Sequence, residues 1–494
     1  MTSDRLRNPA LRAFPQKVAA DPRSGSTLSG GISWLFAVAG FAVGGRIISD
    51  NSLLTHLATG NLIVEQGRVP AADPYSHDFV GMAWTVQSWL ASLVYSQAVS
   101  LGGEPMLRLI HGLLAALVMA GVWRLTAPAR QLVTRVGLAL LPLLVGGSLW
   151  SPRPFMFGLV GMVVVLLVMR GLVRPWALLP AMYLWVNSHG SFPLALVLIG
   201  AAAVGQVIDE RRPPITSLRI GGWMVAGMMF AGFNPVGPRL WWFPVMLLSR
   251  GEALEEVVEW APPSFDKPVD YVYLGLLPLL VVAAKRGMPW ADLLPALGFF
   301  ATGLLAIRNM ATASLVIVAM VAPTLTELVG RTVGDERGRP ARMVTVAGVT
   351  GLAVSVFVAA TSPGLVLDRY PVDAFDYLEA RALAPSDDVI VVHREGVGNY
   401  LTYRYGAEAG VFIDDRFDFY PVDRTKDHLT LVYGGDYRDV LDRHHADVVV
   451  WERDSELTDW LDEEPGWDLA YRDDEWVVAC RTSGPAADRC KRSR

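Results

Sequence analysis

Long apolar runs separated by short polar turns fill residues 31–361 of the chain. A helix that crosses the hydrocarbon core of a bilayer needs about 20 mostly apolar residues, which is the length of these runs. The pattern therefore predicts a polytopic α-helical membrane protein with about eleven spans. The predicted spans are 31–48, 106–123, 136–150, 155–169, 175–188, 192–208, 221–234, 271–284, 288–306, 310–329 and 343–361.

The pattern changes after the last apolar run, where short apolar segments alternate with charged ones. Periods of two and of 3.6 residues follow one another here, which predicts a small soluble α/β domain over residues 362–494. The predicted strands are 389–392, 411–413, 448–451 and 476–479. The predicted helices are 371–383, 399–405, 437–443 and 455–462.

Segment 84–101 decides the topology, because its apolar residues are mixed with Trp84, Gln87 and Trp89. Lys and Arg of short loops favour the cytoplasmic side. If segment 84–101 lies at the membrane interface, every basic loop falls on the same side of the membrane as the basic amino terminus. If the segment crosses the membrane, those loops fall on the opposite side. We therefore predict an interfacial segment. The basic loop residues are Arg124, Arg130, Arg135, Arg170, Arg174, Arg211, Arg212, Arg219, Lys285, Arg286, Arg331, Arg337, Arg339 and Arg342.

This topology divides the chain into three parts: a cytoplasmic basic amino terminus at 1–30, a transmembrane domain at 31–361 and an extracytoplasmic domain at 362–494. Residues 49–105 form the first outer loop, with interfacial helices. A cleavable signal peptide is the alternative for the amino terminus. The basic stretch is long and no small-residue cleavage site follows, which favours a retained first helix in the cytoplasmic membrane.

Composition agrees with a membrane protein. The 494 residues are 52% hydrophobic and 18% charged, below the roughly 25% charged residues of soluble domains. The net charge is −5 and no helix is rich in Lys and Arg, so the sequence gives no support to nucleic-acid binding. Cys480 and Cys490 are the two cysteines, and they could close a short loop in an oxidising compartment.

The first outer loop carries the candidate acid–base residues. Asp50 directly follows the first span, so a rigid element would hold its carboxylate near the membrane surface as a general base; helix capping is the alternative. Asp73 precedes a proline, where Asp serves a turn as readily as catalysis. His56, His77 and Asp78 could bind a divalent metal, although their spacing matches no defined metal motif.

Other polar residues fall at the predicted outer ends of helices. Arg153, Arg239 and Arg308 suit a lipid-linked phosphate or diphosphate, because the guanidinium fork matches phosphate oxygens; interaction with lipid headgroups is the alternative. His189 is a second acid–base candidate or a packing residue, with packing favoured. An acidic loop with Glu255, Glu256 and Glu259 lies on the same predicted side.

The first outer loop resembles that of the GT-C superfamily of membrane glycosyltransferases. The resemblance rests on an acidic residue at the end of the first span, His56-Leu57-Ala58-Thr59-Gly60 with Gly67 and Pro70, then Asp73-Pro74-Tyr75-Ser76 and an interfacial helix from Trp84 to Trp89. It covers residues 31–330 and implies a helical bundle with a large first outer loop. Residues 398–401, 414–416 and 466–467 are similar to the carboxy-terminal domain of bacterial members.

The resemblance implies transfer of a sugar from a polyprenyl-phosphate carrier to a glycan, lipid or protein acceptor outside the membrane. Asp50 matches the catalytic base, and Arg153 falls in the second outer loop, where relatives place Ser-Arg. The chain departs from the pattern at Asn51, where many members have a second acid, and no Asp follows Arg153. The alternative function is a non-catalytic binding protein for lipid-linked glycans, or a transporter.

Overall fold

The computed structural model describes residues 27–150, 152–251, 258–326, 338–386, 388–484 and 486–490. The basic residues before position 27, Glu255 and Glu256 of the acidic loop, and Arg331 and Arg337 lie outside the described residues.

Helices make up most of the described chain. Up to residue 251 they are α1 (Leu28–Gly44), α2 (Ser52–Gln66), α3 (Trp89–Gly102), α4 (Pro105–Leu125), α5 (Leu132–Gly146), α6 (Phe155–Met169), α7 (Leu178–Ser188), α8 (Pro193–Glu210), α9 (Ile215–Ala231) and α10 (Arg239–Leu248). From residue 258 they are α11 (Pro268–Leu274), α12 (Leu276–Lys285), α13 (Trp290–Leu305), α14 (Asn309–Val321), α15 (Arg339–Thr361), α16 (Val372–Glu379), α17 (Glu395–Tyr405), α18 (Val422–Tyr433), α19 (Tyr437–Arg443), α20 (Glu456–Glu463) and α21 (Ala487–Cys490).

The chain forms two compact units. The first consists of Met1–Arg46, Pro105–Pro244 and Val257–Gly364. The second consists of Ile47–Glu104, Val245–Glu256 and Leu365–Arg494, so the loop after α1 belongs to the same unit as the carboxy-terminal segment.

The first unit is built of apolar helices, and each predicted apolar span overlaps one of them. Among the described residues, four helical segments are long and apolar enough to cross a membrane, which indicates a membrane protein. They are Pro105–Leu125, Pro193–Glu210, Pro268–Lys285 and Arg339–Thr361. Helix α10 was not predicted.

Helices α1, α4 and α15 pack together around Phe41, Ala116 and Ala359. Gly40 allows the close approach of α1 to α4, because a Cβ atom at this position would lie 2.5 Å from the carbonyl oxygen of Ala115. Small residues at such crossings let two apolar helices pack backbone to backbone.

The second unit contains a four-stranded sheet in the order β1 (Val391–His393), β2 (Val448–Glu452), β4 (Trp476–Arg481) and β3 (Trp467–Arg472). Strand β1 pairs parallel to β2 through Val392 and Val449, and β4 runs antiparallel to both neighbours. Cys480 and Cys490 form a disulfide that joins β4 to α21, so the two cysteines do close a short loop.

The core of the second unit includes side chains of the loop after α1. Phe79, Met82 and Trp84 pack against the buried cluster that contains Phe412, Tyr420 and other residues of the segment after 365. The loop is therefore part of the hydrophobic core of this unit, and its conformation is fixed by tertiary contacts.

Most predicted elements of the carboxy-terminal segment are confirmed, including β1, β2, β4, α16, α17, α19 and α20. The predicted strand at 411–413 is wrong. The Val411 N–H donates to the Tyr75 carbonyl and the His77 N–H donates to the Val411 carbonyl, so this segment pairs with the loop instead of joining the sheet. Helix α18 and strand β3 were missed, because polar residues interrupt their apolar periodicity.

Candidate functional site

Two carboxylates converge on Ser52 at the first residue of α2. The Ser52 backbone N–H donates to Asp50 Oδ1 over 3.1 Å, and the Ser52 hydroxyl donates to Asp415 Oδ2. Asp50 and Asp415 are both half-buried. Negative charge is favoured here because the unpaired N–H groups and the helix dipole make an amino-terminal helix end positive.

Asn399 holds the second carboxylate in place. Its side-chain amide donates to Asp415 Oδ1 over 2.5 Å, and its carbonyl oxygen accepts from the Asp415 N–H over 3.2 Å. Asn399 is completely buried on α17, so its own orientation is fixed by packing. The Asp415 side chain is therefore positioned from both sides, by Ser52 and by Asn399.

Tyr370 and Tyr95 lie close to these carboxylates. Burial raises the pKa of both phenols, and the charge of Asp50 raises each further; Asp415 adds to the effect on Tyr370. The Tyr370 hydroxyl thus lies within the electrostatic range of both carboxylates. Both phenols remain protonated at neutral pH and are able to donate hydrogen bonds.

The adjoining part of α2 packs closely on α3. A Cβ atom at Gly60 would lie 2.1 Å from the Ser92 carbonyl oxygen, so glycine is required for this crossing. The crossing brings His56 Nδ1 to 2.9 Å from Ser92 Oγ and places the His56 ring edge-on to Tyr95. His56 itself lies in α2, one turn after Ser52.

Asp73 lies in a buried ion pair. Its Oδ1 atom accepts from Arg416 Nη1 over 2.6 Å, and Oδ2 accepts from the N–H and hydroxyl of Ser76. The Asp73 side chain has no solvent exposure. Its bonds to Ser76 are those of a turn, which was one of the two roles that its sequence position suggested.

In the first unit, Arg153 and Arg308 gather around Glu259. Arg153 Nη1 donates to Glu259 Oε1 over 2.7 Å, and the Arg308 N–H donates to the Glu259 carbonyl over 3.2 Å. Arg308 also stacks on Trp260, with 4.4 Å between the guanidinium carbon and the ring centroid. Burial lowers the pKa of Arg308, and the positive charge of the neighbouring Arg153 also lowers it. The negative charge of Glu259 acts in the opposite direction and raises it. Two cations thus share one carboxylate.

His189 and Arg239 occupy other places in the first unit. His189 Nδ1 lies 2.8 Å from Ser191 Oγ, and its ring packs edge-on against Phe155 at 5.5 Å between centroids. Since Phe155 begins α6 and His189 follows α7, these contacts join two helix ends. Arg239 is exposed at the first residue of α10.

The metal candidates do not assemble into one ligand set. His77 Nδ1 bonds to Asp78 Oδ1 at 2.8 Å, whereas His56 Nδ1 lies beside the Ser92 hydroxyl on α3. Within the described ranges, no group of three or more His, Cys, Asp and Glu side chains is arranged to hold a metal ion. The possible divalent metal has no identified ligand set among these residues.

Sequence reasoning missed the role of Asp415. The run Asp414-Asp415-Arg416 was visible as part of the carboxy-terminal resemblance, but Ser52 and Asp415 are 363 positions apart. No local pattern links residues at that separation.

No protein-family model matches the sequence, and no curated protein matches it.

Proposed function

We propose that the protein is a multi-pass membrane glycosyltransferase that moves a sugar from a polyprenyl-phosphate carrier to a glycan, lipid or protein acceptor. The proposed site lies on the outer face of the cytoplasmic membrane, with Asp50 as general base. The observation that carries this proposal is the placement of Asp50 and Asp415 on Ser52 at the start of α2. A second acid is thus present near Asp50, although Asn51 occupies the adjacent position.

The proposed reaction needs one base and one leaving group. Asp50 accepts the proton of an acceptor hydroxyl as the hydroxyl oxygen bonds to the anomeric carbon of the sugar. The bond between that carbon and the phosphate oxygen breaks, and polyprenyl phosphate leaves with the electron pair. A correctly placed general base contributes about 10²–10⁴-fold to a rate.

Asp415 is proposed as a positioning residue that acts through Ser52. Because the Ser52 hydroxyl donates to Asp415, the orientation of Ser52 is fixed, and its N–H remains directed at Asp50 Oδ1. Small displacements of a reacting group cost rate even when binding is retained.

Arg153 and Arg308 are proposed to bind the phosphate of the donor. Among the described residues, the guanidinium groups of Arg153 and Arg308 act on the one carboxylate of Glu259, an excess of one positive charge that suits a phosphate diester.

The multi-pass topology is supported by contacts inside the first unit. Residues predicted outside, Arg153, Glu259 and Arg308, contact one another. Arg170, predicted inside, pairs with Asp292 over 2.9 Å. Both contacts join residues that the predicted topology assigns to the same side of the membrane.

The test is transfer from a radiolabelled polyprenyl-phosphate sugar in membranes that contain each variant. Asp50→Asn should lower transfer by about 10²-fold or more. Asp415→Asn should lower kcat by about tenfold with the KM for donor unchanged. Glu65→Gln, an exposed carboxylate near the other end of α2, is the matched control and should retain full activity.

Two outcomes would reject the proposal. Full transfer by Asp50→Asn would remove this residue from the mechanism. Donor binding without transfer by the wild-type protein, with every acceptor class tried, would favour the non-catalytic binding protein or transporter.

A further inference from the structure

A groove of about 440 Å³ lies in the second unit, between α18, α19 and the loop residue Phe79. Its volume is within the range of about 300–1,000 Å³ that is typical of small-molecule sites. The residues at Ser52 do not line this groove, so it is a separate feature of the unit.

Arg424 forms a fixed part of the groove wall. Its guanidinium carbon lies 5.1 Å from the Phe79 ring centroid and 4.2 Å from that of Phe412. Nη1 donates to the Phe412 carbonyl over 2.9 Å, and Nη2 pairs with Asp78. Because two rings and two acceptors hold it, Arg424 is preorganised and a ligand need not order it.

Asp427 forms the second fixed point. Its Oδ1 accepts from Arg443 Nη1 over 2.6 Å, and its Oδ2 lies 2.7 Å from His444 Nε2. The other His444 nitrogen, Nδ1, faces Arg424 Nη2 at 3.4 Å. A continuous network of planar donors and acceptors therefore runs from Asp78 to Arg443.

The cations of this network are offset by carboxylates. Arg424, Lys426 and Arg443 are cationic, while Asp423 and Asp427 of the lining are carboxylates, as are Asp78 and Asp439, which pair with Arg424 and Arg443. Burial and the nearby Arg424 charge lower the pKa of His444, which stays neutral at neutral pH. The hydrogen bond from His77 and the contact with Arg424 keep the pKa of Asp78 below its usual range, so Asp78 is ionised.

The pairing of these charges selects the class of ligand. An anion would require an excess of cations, which the network lacks, and a cation would require carboxylates that are not already paired, whereas Asp78, Asp427 and Asp439 are held by Arg424 and Arg443. Adjacent donors and acceptors suit neighbouring hydroxyl groups. Phe79 and Pro421 also line the groove and offer an apolar surface for the C–H face of a ring.

We propose that this groove binds a neutral saccharide. The inference goes beyond the proposed transferase function and does not depend on it, because binding at the groove is measured without any transfer reaction.

The test uses the full chain in lipid nanodiscs free of sugar-based detergent. D-Glucose, D-galactose, D-mannose and D-arabinose are titrated by saturation-transfer-difference NMR, with D-glucuronate and inorganic phosphate as anionic probes. For at least one neutral sugar, the saturation-transfer signal should reach a plateau as the sugar concentration rises, which shows binding to a site of finite capacity. Arg443→Gln should weaken its binding by about tenfold or more, because a donor at the groove is lost.

Arg438→Gln is the matched control: Arg438 is an exposed arginine on the same helix that pairs with Glu464, away from the groove lining. It should leave sugar binding unchanged, and Asp50→Asn should do the same. The wild-type unfolding temperature should be retained by both arginine variants. Failure of every neutral sugar to saturate would overturn the proposal, as would an equal loss in both arginine variants. Binding of phosphate or glucuronate in place of the sugars, if Arg443→Gln abolishes it, would identify an anion site. That result would also overturn the saccharide proposal.

Discussion

Asp73 and Arg416, which are 343 positions apart, form a buried ion pair with 2.6 Å between Asp73 Oδ1 and Arg416 Nη1. Arg416 also bonds to both oxygens of Asp414 and lies over the ring of Trp84 at 4.7 Å. Both carboxylate side chains are fully buried, and that of Arg416 is 8% exposed. One guanidinium group thus compensates two buried carboxylates, one from the loop and one from the segment after residue 365.

Arg416→Met should destabilise the second unit strongly, because it leaves Asp73 and Asp414 without their cation. Removal of one partner from a buried ion pair costs about 3–5 kcal/mol. The measurement is the thermal unfolding temperature of the purified protein. Arg438→Gln, which breaks an ion pair whose arginine is 64% exposed, should cost less than about 1 kcal/mol. Equal effects of the two substitutions would show that Arg416 is not needed for the fold.

The helical part of the fold could be predicted because each apolar run is a local signal. Asp50 could be named as a candidate for the same reason, since it directly follows the first apolar run. Arg416 and Asp415 could not be assigned roles, because their partners in the loop, Asp73 and Ser52, lie hundreds of positions away and no local period records such a contact. The role of Asn399 follows from that of Asp415, to which it bonds, and was missed with it. The wrong strand at 411–413 has the same origin: Val411 has a strand-like sequence, but its backbone pairs with Tyr75 and His77.

Substitution of the arginines in the first unit should change donor dependence. Arg153→Gln or Arg308→Gln should raise the KM for the polyprenyl-phosphate sugar by about tenfold with a smaller effect on kcat, because a phosphate contact made in the ground state is lost. The kinetics are measured by varying the donor at saturating acceptor.

Arg212→Gln is the control for these variants. Arg212 is exposed and lies in a loop predicted to be cytoplasmic, so its substitution should leave the KM unchanged. Variants of Arg153 and Arg308 that reduce only the amount of folded protein, with normal donor KM, would assign both arginines a structural role.

His393 should make the stability of the second unit depend on pH. It is completely buried: Nδ1 lies 2.9 Å from the Arg394 carbonyl, and Nε2 accepts from the Phe412 N–H. Burial lowers the pKa of His393 from 6.5 to about 4. The unfolded chain therefore takes up a proton at this residue before the folded chain does. The contribution of His393 to the free energy of unfolding is constant above the pKa that its side chain has in the unfolded chain. Stability is lost as pH falls from that value towards the pKa in the folded chain.

The expected loss is about 2 kcal/mol between about pH 7 and about pH 5, by the linkage between protonation and folding. Because glutamine can supply both a donor and an acceptor, His393→Gln should fold and reduce this part of the pH dependence. Chemical unfolding across that pH range measures the difference. The exposed His445, substituted in the same way, is the control and should keep the wild-type slope. A wild-type slope in His393→Gln would contradict the assignment.

The proposed topology is tested by single cysteines and a membrane-impermeant maleimide applied to spheroplasts. Val80→Cys and Pro235→Cys place thiols at exposed positions of predicted outer loops and should react from outside. Arg212→Cys and Lys285→Cys should react only after the membrane is opened, because basic loops stay in the cytoplasm. The native Cys480 and Cys490 are paired in a disulfide and give no background labelling. Reaction of Val80→Cys and Pro235→Cys from opposite faces would reject the interfacial placement of segment 84–101, because one additional crossing between these positions would reverse every later loop.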